Sequence, residues 1–379
     1  MKYVWSAAAA AALLCLGCES SDSKSPNEVS GKSSGLTTAH AESEAIEELQ
    51  SKEIEPRTSS SETVYEEEEA IHMIFAGDVM FEWSLEDTVA QHGPDYPFEH
   101  VSESVQQADY AIANLETAVT DHAQPYEKIY NFQADADHLT GLVNAGFDFV
   151  SLANNHTMDY REAGLLDTVE SLDEAGLDHA GAGADKSEAY APHTVELHGK
   201  TIKILAFSEV LPSVDWYAGE NKPGIASGYQ RERVVQKIAA ADDSADYVLV
   251  YMHWGNEGEH TPEEATRTYA ESMVSAGADA VVGTHPHVLQ GFEFFDDQPV
   301  AYSIGNFLFP DYVEGPTAET GLLHFKLQDG DVAMSFEPWH IDQDQVVDQG
   351  EAYQGKVMQF LADHSYGVSI NGFDIHPKP

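Results

Sequence analysis

The stretch Ala280-Val281-Val282-Gly283-Thr284-His285-Pro286-His287 joins a short apolar run to a polar cluster that carries two imidazoles. The apolar part reads as a buried strand. Five other runs have the same form: Met73-Ile74-Phe75-Ala76, Tyr110-Ala111-Ile112-Ala113, the run from Phe147 to Leu152, that from Ile202 to Phe207, and Tyr247-Val248-Leu249-Val250-Tyr251. Between them Leu165, Leu166, Val169 and Leu172 recur at helical spacing, as do Val234, Val235 and Ile238. Strands alternating with helical patterns predict an α/β layered fold. After Gly291 the runs become hairpin-like, from Val300 to Ile304, Leu322 to Leu327 and Val332 to Phe336, with Asp329-Gly330 as a turn between the last two. A second sheet, or an antiparallel end of the first, is expected there. A final helix is expected near Val357 to Leu361, and no repeat of fixed period is present.

In α/β sheets ligands gather beyond the carboxyl ends of strands, so the residues directly after each run are the candidates for chemistry. They are Asp78 after Gly77, Asn114 and Glu116, Asn154-Asn155-His156, His253, and the pair His285 and His287. Each has a structural reading by itself. Asp78, Asn114 and Glu116 can cap turns or helices, Asn154-Asn155 can form a left-handed turn, and His253 can be a core histidine. Together, carboxylate, amide and imidazole suit a hard or borderline divalent ion such as manganese, zinc or iron. His285 and His287, at i and i+2 about a proline, are expected to point the same way. Two ions sharing one carboxylate would clamp a phosphoryl or acyl oxygen and generate hydroxide at neutral pH, and one ion suffices for the second task. His156, directly after Asn155, is placed as a general acid or an orienter of the leaving group rather than as a ligand.

Composition narrows the partners. The 379 residues carry 66 Asp and Glu against 18 Lys and Arg, a formal net charge of -48. That balance excludes a broad electrostatic hold on nucleic acid and disfavours anionic membrane surfaces. The acidity is not confined to a tail, because residues 71–379 hold 52 acids and 13 bases. Such a domain is expected to need a salty medium, as in a halophilic organism, to screen its carboxylates. Both cysteines, Cys15 and Cys18, lie at the N-terminus, so the folded part has no disulfide and no thiolate metal site. Met1-Lys2, an alanine-rich apolar run and Leu16-Gly17-Cys18 have the order of a secretory signal. That ending resembles a bacterial lipoprotein signal, which implies lipidation at Cys18, with a plain cleaved signal as the alternative. Residues 19–70 are rich in Ser, Glu and Thr and read as a disordered acidic stalk, making the protein an exported envelope lipoprotein anchored to the membrane.

Six ordered motifs resemble the CapA-like family of poly-γ-glutamate capsule synthesis, which belongs with the calcineurin-like metallophosphoesterases in fold. They are Phe75-Ala76-Gly77-Asp78-Val79-Met80, Ala113-Asn114-Leu115-Glu116, the run from Ala153 to Asp159, His253-Trp254-Gly255-Asn256-Glu257, the run from Gly283 to Gln290, and Tyr302-Ser303-Ile304-Gly305-Asn306-Phe307. The resemblance implies a metallophosphoesterase-like four-layer α/β sandwich over residues 71–340, with 341–379 packed on it as a C-terminal extension behind signal (1–18) and stalk (19–70). It implies Asp78, Glu116 and His287 on one ion, and Glu116, Asn155, His253 and His285 on the other. Asp159, Glu257 and Asn154 are read as partners that orient these ligands. The phosphoesterase pattern has histidine where this chain has Met80, which leaves the first ion short of a ligand. Two functions follow: a metal-dependent hydrolase or transferase acting on γ-glutamyl polymer or an envelope phosphoester, or a non-catalytic assembly or export subunit working with membrane capsule-synthesis subunits. Trp254 and Phe307 are read as core, and Gly305-Asn306 as a tight turn.

Overall fold

The computed structural model describes residues 69–379. The signal-like segment, Cys18 and all but the last two residues of the stalk lie outside the described residues.

Two sheets form the frame. In the first, strands Ile71–Val79, Tyr110–Leu115, Phe149–Ser151 and Asp178–Ala180 run parallel side by side. The long hairpin Glu319–Gln328 and Asp331–Asp342 extends the sheet antiparallel beyond Ile71–Val79. In the second, Lys200–Ser208, Tyr247–His253, Ala280–Thr284 and Gln298–Ala301 run parallel, with antiparallel strands at both edges. The late hairpin therefore becomes an antiparallel end of the first sheet, while Phe292–Phe295 and Gln298–Ala301 close one edge of the second. Asp329 and Gly330 both have positive φ, 56° and 87°, as the tight turn between the hairpin strands requires.

The layers follow from the two-residue period of Tyr247–His253. Tyr247, Leu249 and Tyr251 face the core shared with the first sheet; Val248, Val250 and Met252 face Val234, Ile238 and Met273 of the helices Arg231–Asp242 and Glu264–Val274. Across the inner layer the Phe75 and Tyr251 rings lie 5.9 Å apart, and the Tyr251 hydroxyl donates to the Ala76 carbonyl at 2.7 Å. Helices Leu139–Ala145 and Arg161–Ala175 cover the other face of the first sheet through Leu142, Leu165 and Leu172. The protein is thus a four-layer α/β sandwich.

The C-terminal residues add the helix Glu351–His364 and strands Val368–Asn371 and Asp374–Pro377, the last pairing with Asp331–Asp342. The most consequential pairing is short. Asn306–Leu308 inserts parallel to Ile71–Val79, with Asp78 opposite Asn306 and a register shift between Asp78 and Val79. It approaches so closely that a Cβ on Gly77 would lie 2.0 Å from the Gly305 carbonyl oxygen. Gly305-Asn306, read from sequence as a tight turn, is instead a sharp entry into this strand, with Gly305 at φ 71°.

Candidate metal centre

Asp78, Asn114, Glu116, Asn155, His253, His285 and His287 converge where the parallel strands of both sheets end. Asp78 is wholly buried; its carboxylate accepts from Asn114 Nδ2 at 2.8 Å and from the His285 amide at 3.2 Å. Its oxygens lie 3.8 Å from His253 Nδ1 and 3.5 Å from His287 Nδ1. Glu116 follows the strand Tyr110–Leu115 directly and is also wholly buried. His253 Nε2 is 3.5 Å from its Oε1, and His156 Nε2 is 3.8 Å away.

Donor atoms from Asp78, Glu116 and His287 lie within 4.8 Å of one another, as do those from Glu116, His253 and His285, and from Glu257, His285 and His287. Two donors each about 2.1 Å from one ion lie about 3–4 Å apart, and Glu116 Oε1 and His253 Nε2, 3.5 Å apart, have that spacing. Asn155 joins through its Oδ1, which is 2.6 Å from His253 Nε2.

The unpaired atoms test whether an ion fits. Both Glu116 carboxylate oxygens and His285 Nδ1 are buried without a hydrogen-bond partner. A buried carboxylate in that state is costly unless a cation meets it. Burial, and then the neighbouring Asp78, push the Glu116 carboxyl well above the usual range. Burial also raises Asp78. It lowers His253 strongly and His285 to about 3, leaving both imidazoles neutral at physiological pH, the form that binds a cation. The donor set therefore fits a divalent ion.

The backbone after Thr284 departs from the sequence expectation. The strand ends there, and His285 and His287 take positive φ of 95° and 56° about Pro286. Their orientation is thus set by a left-handed loop and not by the strand period, and such conformations cost about 1–3 kcal/mol each. The rings sit 5.6 Å apart at 60°. His287 is fixed by a 2.7 Å contact between its Nδ1 and Asn306 Oδ1, while Asn306 donates to the Thr317 carbonyl. The short inserted strand thus positions one residue of the donor cluster, a role its sequence did not announce.

His156 sits beside the ligands. Its Nδ1 donates to Asp159 Oδ2 at 2.7 Å, and its ring stacks on Phe132 with centroids 4.0 Å apart. Burial lowers it to about 4, so at neutral pH Nε2 carries a free lone pair and His156 must accept a proton before it can donate one. Asp159 also accepts from the Phe132 amide and is ion-paired with Lys128. Lys128, absent from the sequence reading, donates to the Asn155 carbonyl at 2.6 Å and lies 3.2 Å from His156 Nδ1. It comes from an irregular loop, where no periodicity marks it.

Asn154 does not form a left-handed turn with Asn155, since neither has positive φ. Its Oδ1 accepts from the backbone amides of His156 and Thr157, and its Nδ2 donates to Asn114 Oδ1, so it ties two strand ends together. Glu257, expected behind a histidine, is exposed and presents its carboxylate among the donors of His285 and His287. Met80 is buried against Phe132, Phe309, Ala318 and Ile341. Trp254 and Phe307 are wholly buried, and Trp254 Nε1 donates to the Tyr302 carbonyl.

Fold and site define an α/β sandwich with a cluster of side chains at its strand ends that fits a divalent ion. Within that class the chain belongs to the family described as bacterial capsule synthesis protein PGA_cap, whose sequence profile matches residues 72–311. It is 32% identical over 270 residues to the capsule biosynthesis protein CapA of Bacillus anthracis, covering 69% of this chain and 65% of that protein. It is 33% identical over 257 residues to the PGA biosynthesis protein CapA of Bacillus subtilis (strain 168), covering 67% of each. The match therefore spans about two thirds of these relatives' length, just under that for the first. A solved 5'-nucleotidase from Candida albicans aligns at 12% identity and TM-score 0.37, over 67% of this chain and 47% of its own.

Proposed function

We propose that this protein is an exported, membrane-anchored component of polyglutamate capsule synthesis whose metal centre catalyses hydrolysis or transfer on a γ-glutamyl polymer or an envelope phosphoester. The observation that carries the reading is the fully buried Glu116, both oxygens unpaired, ringed by His253, His285, Asp78 and His287. Asp78, Glu116 and His287 would hold one ion, and Glu116, Asn155, His253 and His285 a second. A bound divalent ion would polarise a phosphoryl or acyl oxygen and make water acidic enough to attack at neutral pH. His156 Nε2 takes the proton and returns it to the leaving group, while Asp159 holds the ring through Nδ1 and Lys128 holds Asp159. Anchoring is assigned to Cys18, and Cys18→Ser is expected to release the domain from the membrane fraction or block processing.

Met80 favours a second reading, a non-catalytic assembly or export subunit that uses the ion for structure or polymer binding. Its thioether is packed into an apolar cluster where the phosphoesterase pattern has a ligand. Metal analysis and turnover on γ-glutamyl and phosphoester substrates separate the two. The hydrolase reading expects stoichiometric manganese, zinc or iron in the wild type, and His156→Ala protein that keeps its metal and loses turnover. Metal without turnover on either substrate class selects the assembly subunit, and wild type that takes up no metal removes both.

A further inference from the structure

The second feature of note lies among the outer helices and shares no residue with the metal centre. Three of the 13 Lys and Arg in residues 71–379, namely Lys186, Arg233 and Lys237, line one cavity of about 430 Å³. In a chain of formal net charge -48 this is a local reversal of sign. Arg233 and Lys237 stand at i and i+4 on the helix Arg231–Asp242 and so share a face. Lys186 enters from the short helix Lys186–Ala189, whose start is fixed by the Asp185 side chain accepting from the Ser187 and Glu188 amides.

The nearby acids are occupied or few. Asp185 is spent on that cap, and Glu188 accepts from the Ala184 amide at 2.9 Å. Glu220, the one carboxylate in the wall, pairs with Lys186 at 2.8 Å while remaining 81% exposed. The Arg233 guanidinium lies 5.2 Å from the centroid of the Tyr190 ring. That ring is buried, and its hydroxyl accepts from the Ser227 amide, so the platform under Arg233 is rigid. Lys237 makes no hydrogen bond or ion pair among the described residues. Ser187 and Gln236 add neutral donors. Three cations and one carboxylate line the cavity, leaving an excess of positive charge that an anion in it would offset.

We propose that this cavity is a binding site for oxyanions, carboxylate or phosphate. Resting on the capsule reading above, it gives the protein a hold on the free α-carboxylates of a γ-linked glutamate polymer, which the rest of the surface repels. At about 0.15 M salt the Debye length is about 8 Å, so distant acids are screened while the cavity cations act at contact.

Titration calorimetry of the full chain at about 0.15 M salt, with a γ-linked glutamate oligomer and with inorganic phosphate as separate probes, tests it. Lys237→Ala is expected to weaken binding about tenfold through loss of a charged donor, with Lys237→Arg restoring it. Metal content and melting temperature are expected to stay at wild-type values in both variants. Wild type that binds neither probe, or Lys237→Ala binding as well as wild type, overturns the proposal. Phosphate binding without oligomer binding, sensitive to Lys237→Ala, upholds the oxyanion site and counts against the polymer reading alone.

Discussion

Glu116→Gln keeps the volume of the side chain and removes its charge, which makes it a test with two opposite signs. In metal-free protein the wild-type carboxyl is buried with both oxygens unpaired and its pKa raised by burial. An unsatisfied buried polar group costs about 1–3 kcal/mol, and more when charged. Gln leaves the same atoms unpaired but does not have to desolvate a charge or take up a proton on folding, so the metal-free variant should be more stable at neutral pH, on the order of 1–3 kcal/mol. At about 2.1 cal/mol/K of unfolding entropy per residue, a folded part spanning 69–379 shifts by roughly 1.5 °C per kcal/mol, so this raises the melting temperature by about 2–5 °C. With metal the order reverses. At a free ion concentration 100 times the wild-type Kd, binding stabilises the wild type by about 2.7 kcal/mol. Removing a ligand costs at least the ~100-fold at the upper end for residues behind a ligand, so the variant gains only about 0.4 kcal/mol under the same conditions. Thermal melting of chelator-stripped protein with and without manganese measures both effects. If Glu116→Gln lowers the melting temperature of stripped protein and keeps the full metal-dependent rise, the assignment of Glu116 as a buried, ion-requiring ligand is wrong.

Gly77→Ala places a Cβ 2.0 Å from the Gly305 carbonyl oxygen, so we expect a loss of at least the ~1–3 kcal/mol typical of overpacking, with weakened metal uptake because Asp78 is next in chain; chemical denaturation and metal analysis check both. Burial, reinforced by Glu86 and Asp159, raises the Glu82 carboxyl to about 7. The folded state then holds that proton more tightly than the unfolded chain, so its stabilising effect is present below about pH 4.5 and lost as pH rises through 7. Glu82→Gln should accordingly melt higher than wild type at pH 8 and level with it at pH 4.5; a difference independent of pH would count against the shift. The melting temperature of the wild type should rise from low to molar salt because 52 acids face 13 bases in residues 71–379, and a flat response would remove the halophilic reading.

The apolar runs, the helical spacing between them and the polar residues that follow each run are local properties, read directly from neighbouring residues. Hence the α/β class, the strand ends and the identities Asp78, Glu116, His253, His285 and His287 were all legible in the sequence. Pairing across long separations was not, because registry depends on which surfaces fit and not on neighbouring residues. Only the folded chain inserts Asn306–Leu308 beside Ile71–Val79 and so sets Asn306 against His287. Likewise Lys128 reaches His156 and Asp159 from a loop without pattern, and Glu257 turns from a histidine's expected support into a member of the donor cluster. The left-handed backbone at His285 and His287 also belongs to this class, since surrounding packing must hold residues in conformations that their own preferences oppose. The cavity of Lys186, Arg233 and Lys237 shows the same limit: the first two lie 47 positions apart in the chain, and a net charge of -48 hides any local excess of positive charge until the helices bring them together.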